Sequence, residues 1–348
     1  MSAPGNHVSS SCPSLSRAST SILACDEDVD GRDIWREDDA SRPLPGHDSV
    51  GKRRAVRVAA IAFAIVSSVS LAIGAWVISL GPLPLAQARQ ISTTIVDRNG
   101  RLLRAYAMAD GRWRLPVDAK TGADPGYLKL LLAYEDRRFR SHAGVDPLAL
   151  GRAAFQLVTR GHIVSGGSTI TMQLARLMEP RRERSVYAKL RQMVRALEIE
   201  RQLNKDQILD LYLALAPFGG NLEGVRAASI AYFGKEPKRL SLAESALLVA
   251  LPQSPETRRV DRYPDVARAA RDRILDRMVE EGRVPREDAV QAKSVPVPRL
   301  RKPMPILAPH SADQAIATVK DSPVIRLTLD AGLQKNLEAL ARDRKSVV

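Results

Sequence analysis

Two acidic residues stand side by side in the stretch 133–144, AYEDRRFRSHAG, where a helical pattern breaks. A carboxylate at a helix end can project into a cleft and act as a general base, and Glu135 is the candidate for that role. Four residues follow it at short fixed offsets: Asp136, Phe139, His142 and Gly144. The alternative is a solvated helix end whose acids pair with neighbouring arginines, and this stretch alone leaves both interpretations open.

A second candidate is the glycine-rich stretch 165–178, SGGSTITMQLARLM. Ser168 and Thr169 follow two glycines at a predicted helix start. Free backbone N–H groups and the positive end of a helix dipole predict an anion cradle there. The stretch lacks the GxxxxGKS or GxxxxGKT pattern of a nucleotide-binding loop. An ordinary turn with a serine cap is the alternative.

A third candidate is the predicted helix YAKLRQMVRALEIERQL, in which Lys189 and Gln192 share one face at helical spacing. Its alternative is the solvated face of an amphipathic helix. The chain has two cysteines, Cys12 and Cys25, both near its start. Neither a disulfide framework nor a CxxC-type zinc site is available from them, and no metal site is predicted.

Helical signals position these stretches within one region, 124–282. Asp146-Pro147 predicts a helix start with proline in the first turn. Asn204 with Gln207, and Ser241 with Glu244, have the spacing of capping boxes. The region is therefore predicted to be a mainly α-helical domain.

The flanking segments have different patterns. In 91–123, STTIVDRNGRLLRAYA alternates around Asn99-Gly100, which predicts a β-hairpin. The segment 283–322 is rich in proline and basic residues and is predicted to be a linker. A strand and a helix start follow in 323–348, and they are too little to bury a core alone, so they are expected to begin a further, incomplete domain.

An uncharged run at 58–80, VAAIAFAIVSSVSLAIGAWVISL, is long enough as a helix to cross a bilayer. The basic flank 52–57 precedes it, and the positive-inside rule places that side in the cytoplasm. The chain is thus expected to be a single-pass inner-membrane protein whose later residues lie in the periplasm. Residues 1–51 are polar and aperiodic, which predicts a disordered cytoplasmic tail.

The net charge of +14 and pI near 10.1 favour an anionic partner. A domain exported across the membrane rarely meets nucleic acid, which argues against that class. Phospholipid headgroups and lipid-linked phosphates fit both the charge and the location.

Taken in order, the three candidate stretches resemble the peptidoglycan glycosyltransferase domain (glycosyltransferase family 51) of class A penicillin-binding proteins, and within it they are similar to the 1C type. The first family motif, Glu-Asp-x-x-Phe-x-x-His-x-Gly, is matched at 135–144. The second, Gly-Gly-Ser-Thr-x-Thr-x-Gln, is matched at 166–173. KDQILDLYL, YFGKEPKRLSLAESALLVALPQSP and RDRILDRM extend the resemblance over about 93–282.

The resemblance implies a lysozyme-like fold that polymerises lipid II into glycan strands and releases a polyprenyl diphosphate. Glu135 would be the general base, supported by Asp136, Phe139, His142 and Gly144. The residues implied to bind substrate or its diphosphate are Arg152, Ser168, Thr169, Gln173, Arg176, Lys189 and Gln192. No cofactor is certain, although the family admits a divalent cation, Mg or Mn. The implied partners are lipid II, the growing glycan strand, the inner membrane and other cell-wall synthesis proteins.

One residue departs from the family pattern. Counting back from KDQILDLY, Gln192 occupies the position of a second essential glutamate. A glutamine cannot ionise, so it can hydrogen-bond the diphosphate but cannot serve as an acid. Glu198 and Glu200 lie on the same predicted helix and are weak substitutes.

The tail TLDAGLQ is similar to the start of a penicillin-sensitive transpeptidase domain. Ser-x-x-Lys occurs only at 49–52 and Lys-Thr-Gly only at 120–122, both in the wrong regions, so no transpeptidase activity is expected from this chain. Two other functions stay open. One is a lytic enzyme of the same fold that cleaves glycan strands, and the other is a membrane scaffold for cell-wall synthases with little turnover.

Overall fold

The computed structural model describes residues 48–161, 167–179, 185–319 and 322–345. The chain divides into two compact units, residues 1–71 and 72–348. Most of the predicted disordered tail, residues 1–47, lies outside the described residues. From residue 48 onward the chain is helical, so the last four residues of that predicted tail differ from the prediction.

The first helix, α1, spans Asp48–Ser79. Within its segment Arg53–Ser79 an 18-residue window reaches a mean hydropathy of 2.3, so the segment is long and apolar enough to cross a membrane. The helix begins well before the predicted span because the basic flank 52–57 consists of good helix formers with no breaking residue. It ends just before Gly81, whose φ is +71°.

The remaining elements alternate short strands with many helices. They are α2 Leu85–Ala88, β1 Thr94–Val96, β2 Leu102–Ala105, β3 Trp113–Arg114, α3 Pro125–Glu135, α4 Pro147–Arg160, α5 Ile170–Met178, α6 Val186–Gln202, α7 Lys205–Leu215, β4 Leu222–Glu223, α8 Val225–Phe233, α9 Leu242–Ala250 with a 3₁₀ turn at Leu251–Gln253, α10 Pro264–Glu280, α11 Arg286–Ser294, α12 Pro309–Thr318, β5 Val324–Arg326 and α13 Ala331–Lys345. The predicted mainly α class is confirmed.

Local capping sets the helix starts. The Asp146 carboxylate accepts from the Ala149 N–H at 3.0 Å, and α4 begins at the next residue, Pro147. Both predicted capping boxes form, at Asn204 for α7 and at Ser241 for α9. These caps satisfy N–H groups that would otherwise lack partners in the first turn of each helix.

Helix α9 forms the centre of the helical core. It packs against α3, α8, α10 and α11, and every residue from Ala243 to Ala250 except Glu244 is buried. A helix that is apolar on all sides requires neighbours on all sides. Burying each large aliphatic side chain contributes about 1.5–3 kcal/mol, so α9 holds these helices in place.

The predicted hairpin forms and acquires a third strand. β1 pairs antiparallel with β2 and parallel with β5, so the sheet order is β2-β1-β5. A second small core joins them, made of Ile95, Leu103, Ala312, Ile325 and Ala331. The C-terminal strand therefore packs on the hairpin.

The predicted linker 283–322 also differs from the structure, because α11 and α12 lie within it. Its prolines mark helix starts: Pro285 precedes α11, and Pro309 opens α12. A buried arginine, Arg271, closes the other end of α11 by donating to the carbonyl oxygens of Lys293 and Val295 at 2.9 and 2.6 Å. Proline content alone could not reveal these helices.

Asp97 connects the hairpin to α13. Its buried carboxylate accepts from the N–H groups of Asn99 and Arg101 at 2.7 and 2.8 Å, and from Ala331 at 3.0 Å. Burial acts to raise the pKa of Asp97, but these backbone donors outweigh it and the pKa is lowered. The Asp97 carboxyl group therefore binds a proton more readily in the unfolded chain than in the folded protein. The ionised carboxylate stabilises the fold fully at pH values above the ordinary pKa of 3.8, and this stabilisation is lost as pH falls through the lower pKa of the folded state.

We therefore expect Asp97→Asn to lower the free energy of unfolding by about 1–3 kcal/mol at pH 7, because one backbone donor would face an NH₂ group. The difference between wild type and variant should shrink as the pH is lowered below about 4. Thermal unfolding measured from pH 7 to pH 3 checks both. A constant difference across that range would contradict the role given to the carboxylate.

Candidate active site

Glu135 is the last residue of α3, and its half-buried carboxylate is held by two amides. Gln173 of α5 donates from Nε2 to Oε2 at 2.7 Å, and Gln253 of the 3₁₀ turn donates from Nε2 to Oε1 at 2.8 Å. Both carboxylate oxygens therefore have a fixed partner. Three separate parts of the chain meet at this one group.

A further donor fixes the orientation of each amide. Tyr212 donates its hydroxyl to Gln173 Oε1 at 3.3 Å, and Arg258 donates to Gln253 Oε1 at 3.1 Å. With its oxygen occupied in this way, each amide presents its NH₂ group to Glu135. The carboxylate is thus positioned before any substrate binds.

Asp136, the next residue, is buried and connects the first candidate stretch to the second. His142 Nε2 lies 3.0 Å from both carboxylate oxygens, and the Ile170 N–H donates to Oδ2 at 3.0 Å. Ile170 is the first residue of α5. Asp136 therefore supplies a negative charge at the positive end of that helix.

The loop that was predicted to form an anion cradle differs from that prediction. Ser165 and Gly166 lie outside the described residues. In the described part of the loop, the Ile170 N–H is bonded to Asp136 and the Met172 N–H to Thr169 Oγ1. These two N–H groups are not free for a ligand, because the protein's own side chains already occupy them.

His142, Gly144 and Phe139 brace this junction. His142 Nδ1 accepts from the Gly144 N–H at 3.2 Å, which leaves the proton on Nε2, where it faces Asp136. Gly144 has φ +90°, and a Cβ there would lie 2.6 Å from the Ala196 carbonyl oxygen of α6. Phe139 is buried beneath the Lys205 ammonium, which lies 4.6 Å from the ring centroid.

A cleft of about 690 Å³ opens beside Glu135 and is rich in cations. Its lining includes six arginines: Arg137, Arg138, Arg152, Arg176, Arg277 and Arg283. Arg138 is bound to Asp146, with Nε 3.0 Å from Oδ2, and Arg137 and Arg277 share Glu281. Within the described part of the chain, Arg176 and Arg283 have no carboxylate partner.

Ser168, Thr169 and Gln173 line the same cleft as Glu135. Lys189 of α6 reaches its edge by donating to the Ser168 hydroxyl. Burial, and then the nearby Arg176 guanidinium, lower the pKa of the Lys189 ammonium. A lysine held among other cations in this way is suited to an anionic ligand, which would relieve the repulsion.

Gln192 is not among the residues that line this cleft. It faces a smaller neighbouring pocket with Glu179, Tyr187, Arg191 and Arg195, and Arg176 borders both. The proposed substitutes for a glutamate are already engaged. Glu198 pairs with Arg195, and Glu200 accepts from Thr171 and Lys205 at 2.7 and 2.6 Å.

The carboxylates of the cleft do not form a metal site. Among the described residues no group of three His, Cys, Asp or Glu side chains could hold a metal ion. Asp136 is bound by His142 and a backbone N–H, and Asp146 is bound by Arg138. This donor set does not fit the divalent cation that the resemblance allows.

Sequence reasoning missed Gln253. The stretch LPQSP was recognised as part of the resemblance, but nothing in its spacing pointed to Glu135, which lies 118 residues earlier. It also missed Arg277 and Arg283, which enter the cleft from the far end of α10 and the turn after it. A group of basic residues near a predicted helix end was the only available signal.

A family model described as transglycosylase matches residues 99–279 of the chain. The chain belongs to the transglycosylase family. Every cleft residue named above except Arg283 lies within the matched range. The recognition made from the ordered motifs is thereby confirmed.

Named relatives of this chain include several penicillin-binding proteins. Penicillin-binding protein 1C of Escherichia coli (strain K12) is 45% identical over 266 residues, which are 76% of this chain and 34% of that protein. Penicillin-binding protein 1A of Aquifex aeolicus (strain VF5) is 41% identical over 206 residues, 59% of this chain and 28% of that one. The chain spans about a third or less of the length of these curated relatives.

A crystal structure of penicillin-binding protein 1A from Haemophilus influenzae is also similar to this chain. The likeness covers 70% of this chain and 27% of that one, with 17% identity and a TM-score of 0.33. With a TM-score this low, the likeness supports no conclusion about the site.

Asp136→Asn tests the junction between the two motifs. An asparagine has one acceptor oxygen, so either His142 or the Ile170 N–H would face an NH₂ group. We expect a loss of about 1–3 kcal/mol in the free energy of unfolding, measured by urea titration, and faster hydrogen exchange at the start of α5.

The matched control is Asp206→Asn, because Asp206 makes partly exposed ion pairs with Lys120 and Arg140. That variant should cost no more than about 1 kcal/mol. If the two variants lost equal free energy of unfolding, Asp136 would contribute no more than an exposed ion pair, and its role in joining the two motifs would be contradicted.

Proposed function

We propose that this chain is a peptidoglycan glycosyltransferase that polymerises lipid II into glycan strands. The observation that carries the proposal is the pre-positioned Glu135 carboxylate at the edge of a cleft lined by six arginines. A base beside concentrated positive charge suits a reaction in which a hydroxyl loses a proton while a strongly anionic group departs.

In the proposed reaction, Glu135 takes the proton from the 4-hydroxyl of the acceptor sugar. The acceptor oxygen forms a bond to the anomeric carbon of the donor with inversion, and the bond between that carbon and the diphosphate oxygen breaks. The electron pair leaves with the polyprenyl diphosphate. The two amides on Glu135 hold the carboxylate in one orientation for this transfer.

The developing charge on the diphosphate needs cations aimed at it. Arg176 and Lys189 are the best placed, since Arg176 borders the cleft and Lys189 reaches it through Ser168. Arg152 lines the cleft from α4. Charge-assisted hydrogen bonds from these groups to phosphate oxygens would stabilise the leaving group.

The remaining substrate-binding residues fall into two sets. Ser168, Thr169 and Gln173 line the cleft and are proposed to contact the sugar or the diphosphate. Gln192 can act only indirectly, through the pocket that it shares with Arg176. The missing glutamate at that position therefore does not alter the set of groups around Glu135, which weighs against a scaffold without turnover.

Helix α1 is proposed to anchor the chain in the inner membrane, with the basic flank in the cytoplasm and the catalytic residues in the periplasm. This places the cleft in the compartment in which we expect lipid II and the growing strand to be joined. Other cell-wall synthesis proteins are the expected protein partners.

No transpeptidase chemistry is expected from these 348 residues. The Ser-x-x-Lys match at 49–52 lies in the first turns of α1, and the Lys-Thr-Gly match at 120–122 lies in a turn before α3.

Glu135→Gln should lower lipid II polymerisation by about 10²–10⁴-fold, because the variant cannot accept a proton. The fold should survive, since a glutamine can still accept from Gln173 or Gln253. Glycan products separated on a gel, with circular dichroism of the same sample, measure both. The matched control is Glu280→Gln, an exposed residue of α10 outside the cleft.

Full polymerisation by the Glu135→Gln variant would rule out Glu135 as the base. Incubation of wild type with purified sacculi tests the lytic alternative: released fragments, without polymer from lipid II, would replace the transferase by a hydrolase. A hydrolase that cleaves glycan strands releases no diphosphate, so it would not need a set of cations positioned to bind one.

The lowered pKa of Lys189 predicts that binding of the diphosphate depends on pH. Its lowered pKa means that the ammonium loses its proton below the ordinary value of 10.5, so affinity for a diphosphate should fall as pH rises through that lower value. In Lys189→Arg the charge persists over the same range. Binding of a polyprenyl diphosphate titrated from pH 7 to pH 10 should weaken in wild type and stay level in the variant. Parallel curves would exclude Lys189 as a phosphate ligand.

A further inference from the structure

Arg195 lies in the middle of α6 and is 2% exposed. Its guanidinium donates to the carbonyl oxygens of Leu80 at 2.6 Å and Gly81 at 2.8 Å. These residues directly follow the end of α1, where carbonyls lack partners within the helix and a positive charge is favoured. A side chain from a distant helix thus closes the end of α1.

A second contact reinforces the first. Trp76, in the last turns of α1, donates its indole N–H to the Tyr187 hydroxyl of α6 at 2.9 Å. The two ring centroids are 5.7 Å apart. The end of α1 is therefore held to α6 at two places, by a hydrogen-bonded aromatic pair and by the charge-assisted hydrogen bonds of Arg195.

Arg195 also forms ion pairs with residues at the end of α5 and within α6, the helices that border the candidate active site. Arg195 lies 2.7 Å from Glu179 and 2.6 Å from Glu198. Glu179 caps the C-terminal end of α5, the helix that carries Gln173 and Arg176. One guanidinium thus connects the segment leaving α1, the helix that bears Lys189, and the helix that bears Gln173 and Arg176.

We infer that Arg195 is a positioning residue that fixes the segment leaving the membrane to the α5–α6 pair, so that the cations of the cleft are held ready for a substrate that is itself embedded in the membrane. The inference rests on the proposed function for its substrate. Its structural part, the attachment of residues 76–81 to α6, stands on the contacts alone.

The variant Arg195→Gln should break the attachment and leave the fold intact. Glu179 keeps Arg191 as a partner at 2.9 Å, and Glu198 is 23% exposed, so neither acid is left buried and unpaired. With the full chain in lipid vesicles, we expect the KM for the polyprenyl-diphosphate-linked disaccharide to rise about tenfold. The kcat should fall by a smaller factor, because Arg176 and Lys189, which the attachment holds in place, are also proposed to stabilise the departing diphosphate.

The conservative variant Arg195→Lys separates positioning from charge balance. A lysine keeps a positive charge beside Glu179 and Glu198, but a single ammonium cannot serve two carbonyls and two carboxylates at once. We expect its KM to remain raised. Complete restoration by lysine would show that Arg195 only neutralises two acids, and the inference would fail.

Fluorescence of Trp76 measures the attachment without turnover. In a Trp35→Phe, Trp113→Phe background Trp76 is the sole tryptophan, and its quenching by acrylamide should increase when Arg195 is replaced. The matched control is Arg201→Gln, which removes an exposed cation from the same helix and should leave both quenching and KM unchanged.

Unchanged quenching in Arg195→Gln would overturn the attachment itself. Increased quenching with an unchanged KM would overturn its role in substrate capture. If wild type failed to polymerise lipid II at all, the proposed function would fall, while the quenching result would still decide whether Arg195 holds the end of α1.

Discussion

The candidate active site depends on one buried carboxylate. Asp136 accepts from the first N–H of α5 and binds His142, so the end of α3 and the start of α5 cannot separate without leaving a charge unpaired in the interior. Glu135 is the adjacent residue, and Gln173 comes from the helix that Asp136 caps. The group proposed to do the chemistry is thus positioned by a neighbour that is too buried and too engaged to take part.

This arrangement explains why the two acidic neighbours have different roles. Glu135 ends a helix at the edge of a cleft and is bound by two neutral amides, whose hydrogen bonds leave it accessible to a hydroxyl group. Asp136 is buried, and a backbone N–H and an imidazole use both of its oxygens.

Local signals in the sequence predicted the parts of the fold that depend on neighbouring residues. The caps at Asn204 and Ser241 and the turn at Gly100 were readable because each needs only three or four adjacent positions. The burial of α11 and the pairing of β5 with β1 were not readable, since both depend on partners elsewhere in the chain. Ala289 and Ala292 are too small to mark a buried helix face in a segment rich in proline.

The same limit applies to the site. The motifs and the resemblance that they carry implied Glu135, Ser168, Thr169, Gln173 and Arg176, and the structure brings these five residues to one cleft. The motifs did not predict a role for Gln253, because its hydrogen bond to Glu135 depends on how α9 packs against α3. Counting along α6 assigned importance to Gln192, whereas the turn of that helix directs it to a neighbouring pocket. Helical spacing gives the relative directions of residues on one helix and not the position of the helix against its neighbours.

The parallel pairing of β1 with β5 also has a consequence for how the chain folds as it is made. The Thr94 hydroxyl reaches the Pro323 carbonyl across 229 residues, so the third strand emerges long after the hairpin that receives it. At ordinary rates of synthesis the delay is roughly 10–50 s, during which one edge of β1 has no partner. An unpaired edge invites pairing with other chains. Strand β1 is only three residues long, so a strand from another chain could form few hydrogen bonds with it before β5 is synthesised.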